Sequence, residues 1–187
     1  MQNMLAYTIH SAFVAGDYPQ VVVGQGTSNK YFGPANPVDD SYWIYFLDRS
    51  NPTNSVYQTV VPGADNSSIP AGLMQYLKDE NLLFGVVTQT LSTVHVPQGE
   101  FYDLLVRYGA GRALQRLEQV NSTLGSGFYG TVSYALVGQG GPRDGGLGPP
   151  SYEAGDLHHG VVLTLSLMPG PDGQPPYSIR DSETFPH

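Results

Sequence analysis

Apolar positions along this chain fall mostly in short alternating or continuous runs, and in helical spacing only through its middle third. Leu5, Tyr7, Ile9 and Phe13 alternate with Ala6, Thr8 and His10, the period of two expected of a half-buried strand. Val21-Val22-Val23 predicts another short strand. Residues 24–40, rich in Gly, Pro, Asn and Ser, predict a loop. Tyr42-Trp-Ile-Tyr-Phe-Leu47 is a strongly β-prone run, closed by a turn at Asp48-Arg-Ser-Asn-Pro52. Ser55 to Val61 follows as a strand, with Val56 and Val60 on one face and Tyr57, Thr59 and Val61 on the other.

Helical spacing begins after Asn66-Ser-Ser68, which offers an N-cap before Ile69 and Pro70. Ile69, Leu73 and Leu77 form a stripe with Met74 beside it. Leu82-Leu-Phe-Gly-Val-Val87 is apolar at every position and predicts a strand covered on both faces. Phe101, Leu104, Leu105 and Tyr108 recur at i, i+3, i+4 and i+7, an amphipathic helix that Gly109 is placed to end. Ala113, Leu114, Leu117 and Val120 mark a further helix from about Arg112. Val132 to Val137 returns as a strand ending at Gly138-Gln-Gly-Gly141. Residues 142–156 predict a Gly/Pro loop, Gly160 to Met168 a strand with Val161, Leu163, Leu165 and Leu167 inward, and 174–187 a proline-punctuated tail.

These elements predict an α/β (α+β) protein: a compact mixed β-sheet sandwich covered by about three helices. Its organisation reads as an N-terminal strand and arm over 1–41, a core domain over 42–141, and a Gly/Pro-rich loop, strand and C-terminal arm over 142–187. The central order resembles the interleukin-like EMT inducer family, also called the GG domain. The resemblance is carried by Trp43-Ile-Tyr-Phe-Leu-Asp48, Leu73-Met-Gln-Tyr-Leu77, Leu82 to Thr88, Tyr108-Gly109 and Tyr134-Ala-Leu-Val-Gly-Gln-Gly-Gly141. It implies a compact α/β domain without catalytic machinery. Animal members include secreted cytokine-like proteins and a glycan-binding stem region of a glycosyltransferase, and a related domain looks to occur in bacteriophage long-tail-fibre apparatus. The chain departs from the animal pattern in lacking cysteines. Phe128-Tyr-Gly-Thr-Val-Ser133 also stands where Arg-Asp-Ser-Trp is usual, so no ligand residue is transferred.

Composition narrows the function classes. Eight lysines and arginines face 16 acids, a formal net charge of −8, and the charged share is 13% against the usual ~25%. The basic residues form no run, which speaks against a nucleic-acid partner; Arg107, Arg112 and Arg116 read as a solvated helix face. With no cysteine there is no disulfide, thiolate metal site or cysteine nucleophile. The first ten residues do not read as a secretory signal peptide, and no window reaches the ~18 apolar residues of a membrane span.

No catalytic motif is visible, so no catalytic residue, metal ligand or cofactor is assigned. Gly138 to Gly148 lacks the lysine and helix of a phosphate loop. Asp39-Asp40 forms a carboxylate pair within a loop, His158-His159 with Asp156 suits a strand entry better than a metal, and His10 and His95 have no nucleophile nearby. Aromatic excess is more telling. Tyr18, Tyr31, Tyr129, Tyr152 and Tyr177 fall in predicted loops and are the candidate contact residues, since tyrosine serves protein interfaces and sugar stacking alike. The expectation is a non-enzymatic structural or assembly protein, a virion component such as a phage tail, fibre or capsid-surface part. It would associate with itself as a homo-oligomer or with neighbouring subunits. The alternatives are a carbohydrate-binding or secreted cytokine-like module and, more remotely, a hydrolase.

Overall fold

The computed structural model describes residues 4–124, 130–143 and 148–181. Among these residues the protein is mainly β with three helices, in two sheets whose strand ladders are all antiparallel. Its strands are β1 (Leu5–His10), β2 (Gln20–Gln25), β3 (Ser28–Phe32), β4 (Ser41–Asp48), β5 (Asn51–Pro62), β6 (Leu82–Gln89), β7 (Leu91–Ser92), β8 (Thr131–Gln139), β9 (Ser151–Asp156), β10 (Val162–Met168) and β11 (Ser178–Asp181). The helices are α1 (Leu73–Leu77), α2 (Gly99–Arg107) and α3 (Arg112–Leu124).

The second sheet, in order β5-β4-β6-β8, continues into β7 and β9, both of which pair with β8. Strands β4, β6 and β8 alternate in the usual way, yet both of their faces are buried. One face places Tyr42, Ile44, Phe46, Phe84, Val86 and Leu136 against helix residues such as Leu73, Phe101, Leu104 and Leu114. The other places Trp43, Tyr45, Leu47, Leu83, Val87 and Val137 against the first sheet. A strand covered on two sides favours apolar residues on both faces, which explains why residues 82–87 of β6 read as an unbroken hydrophobic run.

The first sheet, β11-β10-β1-β2-β3, is built from the segments flanking 42–141. The N-terminal strands and the C-terminal strands, expected as separate arms, pair with each other: Tyr7 lies opposite Leu165 and Ile9 opposite Leu163. Tyr7, Ile9, Val21, Val23, Leu165, Leu167 and Ile179 then bury against the second sheet. At one corner the sheets are also linked through the backbone, Ala12 accepting from Thr90 at 2.9 Å and donating to Thr88 at 3.1 Å.

Three strands correct the sequence-based expectation. β3 lies in the predicted 24–40 loop, joined to β2 by a two-residue turn at Gly26-Thr27 in which Gly26 has φ +60°. Its residues, Ser-Asn-Lys-Tyr-Phe, show almost no apolar alternation. β9 falls in the predicted 142–156 loop and β11 in the predicted tail; both are drafted by long-range pairing, with β8 and β10. The helix expected from Ile69-Pro70 starts only at Leu73, because Gly72 precedes it at φ +77°. Asn66 is not the N-cap of α1, a place Gly72 takes; its Nδ2 donates to the Val96 carbonyl at 2.9 Å.

β9 also holds α3. Glu153 Oε1 accepts the Ala113 N–H at 2.8 Å, and Oε2 accepts the Leu114 N–H at 3.3 Å and the Tyr134 hydroxyl at 2.9 Å. A carboxylate from a strand thereby occupies the first turn of a helix, satisfying its unpaired donors and its positive end.

Candidate interaction surface

The five candidate tyrosines separate by environment. Tyr18 and Tyr31 are 53% and 59% exposed. Tyr31 sits on β3 opposite Val22, and the Tyr18 ring lies beside Gly33. Tyr152 and Tyr177 were expected to face outward from loops, but both pack against the core between the sheets. The Tyr152 hydroxyl accepts the Asp181 N–H at 3.2 Å. Tyr177 is fixed by its backbone, donating N–H to the Arg49 carbonyl at 2.8 Å and accepting from Arg49 Nε at 2.7 Å. Tyr129 lies outside the described residues.

A surface the sequence did not announce runs along β5. Edge strands carry unpaired N–H and C=O groups and are usually blunted by charge, shortness or cover. β3 has five residues including Lys30, β11 has four including Arg180 and Asp181, and β9 carries Glu153 and Asp156 and lies against α3. β5 has 12 residues, Asn-Pro-Thr-Asn-Ser-Val-Tyr-Gln-Thr-Val-Val-Pro, and none is charged. Pro52 and Pro62 bracket the strand, so the stretch able to pair spans 53–61.

Concavities flank it on both sides. One, of about 330 Å³, has Trp43 and Val60 at its base and Val38, Asn36, Gln58 and Pro62 around it. The Trp43 indole N–H donates to Gln58 Oε1 at 2.9 Å, and the indole ring lies 4.7 Å from the Tyr45 ring. The other, of about 480 Å³, is bounded by Val61, Asp65, Ile69 and Pro70. Val56, 45% exposed, stands in the middle of the strand.

Where β4 begins, the structure joins residues that the sequence keeps apart. Asp40 and Thr90 both have positive φ, 55° and 42°, uncommon for residues with a side chain. Asp40 Oδ2 is 2.7 Å from His95 Nδ1, its Oδ1 accepts the Ser92 N–H at 2.9 Å, and its own N–H donates to Thr90 Oγ1 at 3.2 Å. Thr90 in turn donates to Asp39 Oδ1 at 2.8 Å, and the Tyr42 hydroxyl donates to the His95 carbonyl. Such a pair fixes the imidazole's tautomer and orientation. These bonds brace the β4 and β6 ends together. Asp39 and Asp40 are thus each engaged by a different neighbour.

The remaining candidates resolve as turn chemistry. Asp156 Oδ1 accepts the His158 and His159 N–H groups at 2.7 and 2.9 Å, and these bonds hold its carboxyl below the usual carboxylate range. Among the described residues no three His, Cys, Asp or Glu side chains gather as a metal site, and no helix is long and apolar enough to cross a membrane. No protein-family model and no curated protein sequence matches the chain.

Proposed function

We propose that this protein is a non-enzymatic assembly module, a structural subunit of a larger particle such as a virion, joined to neighbouring copies of itself through β5. The observation that carries the proposal is the long uncharged edge. A chain with a net charge of −8 repels its own copies over most of its surface. Along β5 two copies approach with no like charges opposed. An antiparallel pairing centred near Tyr57 is self-complementary, as a two-fold contact requires, and the flanking concavities receive side chains from the added strand. The resemblance of residues 42–141 to a family with relatives in phage fibres supports the particle setting.

Sedimentation over a concentration series tests this. The expected outcome is reversible self-association that Val56→Lys, a charge placed mid-edge, abolishes without loss of folding. A chain that stays monomeric at every concentration and joins no particle would sink the proposal. A second reading, carbohydrate binding, draws on Tyr18 and Tyr31, whose exposed rings could stack on sugars. A glycan array in which the double variant Tyr18→Ala/Tyr31→Ala loses every hit separates it from the first.

A further inference from the structure

Three of the chain's eight lysines and arginines line one cavity. Lys78, Arg107 and Arg143 surround a space of about 230 Å³, with Met74, Tyr108 and Pro142 as its apolar wall. The convergence follows from how the helices end. Lys78 directly follows α1, and Arg107 closes α2. Cations are favoured at helix C-termini, and here two such ends open onto the same cavity.

Arg143 reaches the cavity from the strand side. Its guanidinium lies over the Tyr108 ring, 5.3 Å from the centroid, and donates from Nη1 to the Pro149 carbonyl and from Nη2 to the Gln139 carbonyl, each at 3.1 Å. Its Nε–H is buried and has no acceptor among the described residues. A buried donor without a partner costs stability.

Among the described residues no carboxylate is ion-paired with Lys78, Arg107 or Arg143; the ion pairs there are His95–Asp40 and His159–Asp156. The two acids that follow Lys78 are turned to other work. Asp79 Oδ1 accepts from the Asn81 N–H and Nδ2, at 2.9 and 3.0 Å, and Glu80 acts on Arg49. On a protein with twice as many acids as bases, three cations lining one concavity have a direction: they favour negative ligands.

We infer that this cavity is a binding site for one small oxyanion, a phosphate or carboxylate group carried on a body no larger than a single sugar ring. The oxyanion would meet Lys78, Arg107 and the Arg143 guanidinium, with the apolar body against Met74, Tyr108 and Pro142. Its volume lies below the ~300–1,000 Å³ of drug-sized pockets, which limits the ligand to that scale. The site is separate from β5 and does not depend on the assembly proposal.

Calorimetric titration of the whole chain with inorganic phosphate and, separately, with glucuronate tests the inference. The expected result is one site per chain, weakened by salt. Lys78→Gln and Arg107→Gln, both exposed positions whose replacement leaves the fold intact, should each weaken binding about tenfold, the worth of one charge-assisted hydrogen bond. Arg112→Gln, on α3, should leave it unchanged. Tighter phosphate binding would assign the ligand to phosphorylated compounds, tighter glucuronate binding to acidic sugars. No binding of either anion up to ~10 mM, or equal binding by wild type and the Lys78→Gln/Arg107→Gln variant, would overturn the site.

Discussion

The hydroxyls of Tyr7 and Tyr45 meet at 2.6 Å inside the protein, one from each sheet. Both side chains are fully buried, so this bond is a polar contact enclosed by the core that joins the flanking segments to the central ones. Removing one hydroxyl leaves the other without its partner. Tyr7→Phe and Tyr45→Phe should each destabilise the protein by about 1–2 kcal/mol, and the double variant by less than the sum. Chemical denaturation of the four proteins completes the cycle; strictly additive effects would show that the hydroxyls do not act as a pair.

Gly85 makes room for that tyrosine. It pairs with Tyr45 across β4 and β6, and a Cβ built there would stand 2.1 Å from Tyr45 Cζ. The neighbour is a fully buried ring held by its hydrogen bond, so it cannot swing aside. Gly85→Ala should cost roughly 3 kcal/mol through overpacking, measured as a fall in the denaturation midpoint with unchanged slope. A Gly26→Ala control strains a turn with open space around it and should cost less.

Arg49 ties β11 to the body. Its guanidinium donates to the Tyr177 carbonyl at 2.7 Å, the Glu80 carbonyl at 2.6 Å and Ser178 Oγ at 3.2 Å. Arg49→Ala should lower stability by about 2 kcal/mol and raise amide exchange selectively over residues 177–181. Arg49→Lys keeps the charge but cannot span three acceptors, so it should recover only part of the loss.

Alkaline pH should unfold the protein through its buried tyrosines. Burial pushes Tyr7, Tyr42, Tyr45 and Tyr134 above the ordinary tyrosine value; nearby Asp40 adds to the effect on Tyr42, and Glu153 to that on Tyr134. Above pH ~10 the unfolded chain releases these protons while the folded chain keeps them, so the folded state binds more protons and stability falls as pH rises. The contribution is whole below that pH and is lost progressively toward the raised values. Tyrosinate absorbance should show the buried set titrating only with loss of structure. A single smooth titration of all 13 tyrosines in a still-folded protein would contradict this.

By itself the sequence determined the elements whose burial is written in consecutive residues. β4 and β6 carry unbroken apolar runs over residues 42–47 and 82–87 because both their faces are covered. α2 shows its i, i+3, i+4, i+7 stripe because one face meets the sheet, and Gly109, at φ +103°, ends it as its position predicted. β10 was legible from alternation alone. Only the tertiary structure decided the rest. β3, β9 and β11 carry too few apolar side chains to signal a strand and become strands because a partner ladder satisfies their backbone groups. The joining of β1 to β10, the closure of Asp40 on His95, and the gathering of Lys78, Arg107 and Arg143 each depend on residues that only folding brings together. Local periodicity records what a segment buries, not which distant segment buries it; that choice belongs to the whole chain.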